Sequence, residues 1–104
     1  MDIKQVALTV FEIEAAAIKN LGQNLNKDFE KSVEVIYQSK GKLIISGMGK
    51  SGLIGTKIAA TMASTGTPSF FLHPAEAYHG DLGMIEPNDI ILLISNSGET
   101  DEIL

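Results

Sequence analysis

The chain has no cysteine and no tryptophan, and its aromatic side chains are confined to four Phe and two Tyr. Without cysteine there is no disulfide, no thiolate metal site and no cysteine nucleophile, a composition that fits a cytoplasmic protein. Basic residues are also scarce: eight Lys and Arg against thirteen Asp and Glu give a net charge of −5. The lysines are scattered and often sit near carboxylates, so the clustered positive charge that nucleic acid requires is missing, and no nucleic-acid partner is expected. No run of about eighteen apolar residues exists, so no membrane span is expected. The start, Met1-Asp2-Ile3-Lys4, lacks a basic region followed by an apolar run, and no signal peptide is predicted. No repeat or low-complexity segment is present.

At 104 residues the chain is one domain at most. Ile3, Val6, Val10, Ile13, Ala17 and Leu21 recur at three- and four-residue spacing and predict a helix that Gly22 ends. A second helix carries Leu25, Phe29, Val33 and Ile36 on one face and Asp28, Glu30, Lys31 and Glu34 on the other, stopping before Gly41. The period then changes. Lys42–Ser46 is a short apolar run of the buried parallel-strand kind. After the turn Gly47-Met48-Gly49-Lys50-Ser51-Gly52, a helix is predicted from about Ser51 to Ser64, with Ile54, Ile58, Ala59 and Met62 inward and Gly66 as its stop. Pro68–Leu72 reads as a second strand, His73–Met84 as short helical or irregular structure, Pro87–Asp89 as a turn, and Ile90–Ile94 as a third buried strand. The alternation predicts a doubly wound, flavodoxin-like parallel α/β sheet. Three strands leave a small core and an open edge, so the domain reads as truncated. Its missing strands are expected from further chain, from another protomer, or not at all.

In such sheets ligands bind outside the carboxyl ends of the strands. Three turns lie there, 47–52, 73–80 and 95–100. Gly47, Gly49 and Gly52 spell G-x-G-x-x-G, but the dinucleotide reading wants an acid at the end of the next strand, where Leu72-His73-Pro74 stands. A P-loop fails as well, because its first glycine would fall inside the apolar strand. The glycines could also do no more than permit a tight turn. In the third turn, Ser95, Ser97 and Thr100 set hydroxyls around a helix N-terminus, with Gly98 allowing close approach. Free amides and the helix dipole make that a site for a phosphate monoester, whatever the net charge. Capping by Ser95 or Ser97 explains one hydroxyl but leaves the others unexplained. Lys50 is a cation at a helix start, where the dipole disfavours it, and it could neutralise a phosphate or a developing enediolate. Glu99, Asp101 and Glu102 suit a helix N-terminus, and one of them could be a general base. His73 and His79 lie near Glu76 and Asp81, without the spacing of a dedicated metal motif. His79 is a candidate for proton handling or for a structural hydrogen bond.

Taken together, the three turns resemble a known family. Ser-Asn-Ser-Gly-Glu-Thr after a buried strand resembles the phosphate-binding signature of sugar isomerase (SIS) domains. Gly-Met-Gly-Lys-Ser-Gly, Ala-Ser-Thr-Gly-Thr-Pro and His-Pro-Ala-Glu-Ala-Tyr-His-Gly-Asp-Leu-Gly-Met, in that order, resemble the arabinose-5-phosphate isomerases. The match runs from about Gly41 to Leu104, with residues 1–40 a helical prelude and 41–104 the first three βα units of one SIS domain. The resemblance implies a five-stranded parallel sheet, a homotetramer with sites between subunits, and interconversion of ribulose 5-phosphate and arabinose 5-phosphate. That reaction is the entry to the lipopolysaccharide sugar Kdo. It implies that Ser51, Ser95, Asn96, Ser97 and Thr100 hold the phosphate, and that Lys50 and Glu102 take part in catalysis. It places His79 near the active site, in a family inhibited by zinc. No metal or organic cofactor is required, since an enediol route needs a base and an oxyanion stabiliser. Leu53 and Thr56 stand where many relatives have His and Arg. The family's later catalytic Glu and His, and the tandem CBS domains of many members, have no counterpart here, so full activity is not expected of these residues alone. A non-catalytic SIS module that senses a sugar phosphate is the alternative, and a fragment that binds nothing is a third; Lys50 with Glu102 favours the enzyme.

Overall fold

The structure, a computed structural model, describes residues 2–78 and 81–95. They fall into two units, divided between Glu34 and Val35. The first unit holds helix α1 (Ile3–Gln23) and the start of α2 (Lys27–Gln38). Asp2 caps α1 by accepting from the Gln5 amide at 3.2 Å, and Asn26 Oδ1 accepts from the amides of Asp28 and Phe29 at the head of α2. Gly22 does not end α1. The helix runs one residue further and is closed by Asn24, whose amide bonds the carbonyls of Leu21 and Gly22 and whose side chain donates to Asn20 O at 2.8 Å. Gly22 keeps a negative φ, so its glycine freedom is unused. No described helix is long and apolar enough to cross a membrane.

The second unit is the sheet. Strand β1 (Leu43–Gly47) lies between β2 (Ser69–Phe71) and β3 (Ile90–Ile94), both parallel to it, in the order β2-β1-β3. This is the predicted doubly wound α/β pattern. Helix α3 (Gly49–Ser64) links β1 to β2; helix α4 (Pro74–Tyr78) and a 3₁₀ turn (Asp81–Met84) lead on to β3. Thr65 caps α3, and Gly66 follows at φ +106°, a left-handed stop of the predicted kind.

Every residue of β1 is buried, as a central parallel strand requires. Ile44 and Ile45 are fully buried on opposite faces, and each contributes about 1.5–3 kcal/mol of apolar burial. Leu43, Ile45 and Ala59 form the core, with Ile36, Ile58, Met62, Phe71, Ile90 and Ile94 packed around it. Two expectations are corrected. Ile54 points outward and is 58% exposed, because α3 lies on the sheet through the small residues Gly52, Gly55 and Ala59. The third strand is not buried through its length: Ile91, Leu92 and Leu93 are exposed, since β3 has a partner on one side alone among the described residues.

The amino ends of β1 and β3 are tied by Asp89. Its carboxylate accepts from the amides of Lys42 at 2.7 Å and Glu86 at 2.8 Å, and the Lys42 ammonium lies 3.4 Å from it and 3.6 Å from Glu86. The Asp89 side chain is 1% exposed. These bonds, led by the Glu86 amide and then the Lys42 amide, hold its carboxyl below the ordinary value of 3.8 against the opposing effect of burial. Ser39 braces the same turn, donating to Asn88 O and accepting from the Gly41 amide.

Candidate functional site

The opposite, carboxyl end of the sheet carries the candidate site. In a 2-1-3 order the chain leaves β1 for one side and returns on the other, which opens a crevice between the ends of β1 and β3. Gly47 ends β1 and pairs with Ile94 at the end of β3, and Ser95 follows. The glycine-rich turn is shaped by two of its glycines in different ways. Gly49 has φ +56°, the left-handed region, which turns the strand straight into α3. Gly52 is a contact glycine: a Cβ there would sit 2.6 Å from the carbonyl oxygen of Gly47, so only glycine lets the helix start this close to the strand.

The predicted start of α3 at Ser51 is therefore two residues late, and Lys50 and Ser51 lie in its first turn. Met48 occupies the N-cap position in extended conformation and makes no side-chain capping bond. The amides of Gly49, Lys50 and Ser51 have no acceptor within the helix, and the dipole adds partial positive charge where they point. Lys50 is exposed and Ser51 is half-buried. Leu53, 74% exposed, stands on the outer side of the same helix, as does Thr56, whose hydroxyl donates to Gly52 O at 2.9 Å.

The structure thus brings Gly47, Gly49, Lys50, Ser51 and Gly52 together beside Ser95. His79, Asn96, Ser97, Gly98, Thr100 and Glu102 lie outside the described residues, and so does the zinc reading of His79. Among the described residues no group of three His, Asp or Glu side chains could hold a metal ion.

One further side chain stands at this end of the sheet. His73 precedes Pro74 at the head of α4, and its Nδ1 accepts from the Ala75 amide at 3.0 Å. Its ring meets the edge of Phe71 at a centroid distance of 6.5 Å and an interplanar angle of 72°. The His-Pro pair was the available signal: a side-chain acceptor at the cap, then a residue that fixes helical φ and lacks an N–H.

A parallel 2-1-3 sheet with an open, glycine-shaped helix start at its switch point defines a doubly wound α/β domain built to take an anion. Residues 35–104 match the SIS domain family, and the chain belongs to that family. It is 57% identical over 104 residues to the arabinose 5-phosphate isomerase KdsD of Yersinia pestis, covering 100% of this chain and 32% of that protein. It is also 57% identical over 103 residues to the arabinose 5-phosphate isomerase KpsF of Escherichia coli O6:H1, covering 98% of this chain and 31% of the relative. The fold matches that of Escherichia coli CFT073 c3406 in complex with arabinose 5-phosphate, at a TM-score of 0.88 and 43% identity, covering 99% of this chain and 56% of that one. The chain spans about a third of the length of the curated relatives it matches.

Proposed function

We propose that this chain carries the phosphate-binding part of an arabinose-5-phosphate isomerase, with residues 1–40 a helical prelude and 41–104 the first three βα units of its SIS domain. The observation that carries the reading is the first turn of α3: uncapped amides and an exposed Lys50, set against the end of β3. Helix starts of this kind take phosphate. The activity printed for the relatives, and the arabinose 5-phosphate bound by a protein of the same fold, supply the substrate class.

In this reading Ser51, Ser95, Asn96, Ser97 and Thr100 hold the phosphate of D-arabinose 5-phosphate. Isomerisation moves one hydrogen from C2 to C1 and one from O2 to O1, through an enediol, with no net oxidation and no cofactor. Glu102 moves the carbon-bound proton, Lys50 stabilises the negative charge that develops on oxygen, and His79 handles the hydroxyl proton. The finer parts of the proposal are a role in making Kdo for lipopolysaccharide, a cytoplasmic location and assembly as a homotetramer.

Proton NMR of the chain with arabinose 5-phosphate in heavy water tests the reading. Deuterium entering at C2, with ribulose 5-phosphate forming, supports the isomerase, and Lys50→Ala then slows exchange by about 100-fold while the sugar phosphate still binds. Line broadening without exchange leaves a binding module. Neither effect sinks the assignment for this chain.

A further inference from the structure

Resting on the sugar-phosphate reading above, we propose that His73 is a specificity-determining residue of the crevice, donating its Nε2–H to an oxygen of the sugar and not to the phosphate. The place of His73 follows from the strand register. Ile45 pairs with Phe71, and the Leu72 amide continues the ladder by donating to Ile45 O at 2.9 Å. One step further, His73 stands level with Gly47 at the carboxyl edge of the sheet.

The side on which it stands follows from Phe71. Residues two apart in an extended segment share a face, and the edge-on contact between the two rings confirms it here. Phe71 lies under α3: a Cβ on Gly52 would be 3.4 Å from its ring and one on Gly55 3.2 Å. His73 is therefore on the α3 side of the sheet, beyond Phe71, next to the turn that carries Lys50 and Ser51.

The chemistry of the ring is set by α4. Accepting the Ala75 amide requires an unprotonated Nδ1, so the neutral imidazole carries its proton on Nε2. The cap thus fixes both tautomer and ring direction, and it leaves a single rigid donor. No acceptor for that N–H stands among the described residues, and the residue is half-buried. A fixed neutral donor one strand away from the helix start suits a carbonyl or hydroxyl oxygen of a pentose chain, while the amides of α3 take the phosphate.

The test separates the cap from the donor. In His73→Asn the shorter side chain keeps an acceptor for the Ala75 amide, and asparagine is a favoured cap, but no donor reaches as far as Nε2. Affinities for arabinose 5-phosphate and for inorganic phosphate are measured by titration calorimetry on the whole chain, with melting temperatures alongside. We expect His73→Asn to melt as the wild type does and to bind inorganic phosphate unchanged. Its affinity for arabinose 5-phosphate falls by about three- to tenfold, the worth of one neutral hydrogen bond. His73→Ala loses the same affinity and also melts earlier. If His73→Asn binds the sugar phosphate as tightly as the wild type, His73 is a cap alone and the proposal is overturned. Equal losses for both ligands overturn it too, since they mark a structural effect. If the wild type binds neither ligand, the sugar-phosphate reading itself fails and this inference falls with it.

Discussion

Asp89 and the glycines of the first turn show how single residues decide this fold. Because the folded-state pKa of Asp89 lies below its ordinary value of 3.8, its bonds contribute their full stability above that pH. The contribution is lost as pH falls through the lower, folded value. Asp89→Asn places an amide N–H₂ against one of the backbone amides that the carboxylate accepted from. The expected result is a melting temperature several degrees lower at neutral pH, with wild type and variant converging in strong acid; a constant difference across the pH range would contradict it. The two glycines fail in different ways. Gly49→Ala meets nothing within 4 Å and costs about 1–2 kcal/mol for the left-handed backbone alone, part of which Gly49→Asn restores. Gly52→Ala collides with the Gly47 carbonyl, costs about 1–3 kcal/mol, and is not restored by Asn. Chemical denaturation of the four variants checks the contrast.

At the scale of elements, the face that α3 buries has a direct test. Ile45→Ala empties a fully buried position against that helix and should cost about 2–5 kcal/mol. Ile54→Ala, on the exposed side, should stay within about 0.5 kcal/mol. Equal losses would return Ile54 to the core. Apolar periodicity picked Ile54 because it counts large side chains, whereas a helix lying close on a sheet is selected by small ones. Continuous apolar runs were better guides: the third strand occupies Ile90–Ile94 as predicted, β1 is shifted by one residue and β2 is shorter by one at each end. What a run of apolar residues does not encode is how many neighbours a strand has, so the exposure of Ile91–Leu93 could not be read from it. The glycine turn was legible in sequence as a turn, but the division of its glycines into a left-handed one and a contact one depends on the register between β1 and α3. The brace at Asp89 was hidden for a similar reason, because its partners are 47 and three residues away. His73 was visible as a residue of the middle turn, but its tautomer became readable only with the Ala75 bond.

For the whole molecule, charge and exposed apolar surface act together. The isoelectric point is near 4.8, so at that pH the repulsion from a net charge of −5 disappears while apolar residues such as Ile3 and Leu53 remain exposed. Turbidity measured from pH 3 to 8 should peak near the isoelectric point, above the range in which Asp89 is released. A peak that instead tracked unfolding at lower pH would assign the association to the denatured chain. The Asp89 tie stands at the amino end of the sheet, and the glycine turn, Lys50, Ser51 and His73 stand at the carboxyl end. That separation bears on how such a sequence can evolve. Exposed positions around the crevice can drift toward new ligands with little risk to folding, whereas Lys42 and Asp89 are bound to each other's fate and change safely only as a pair.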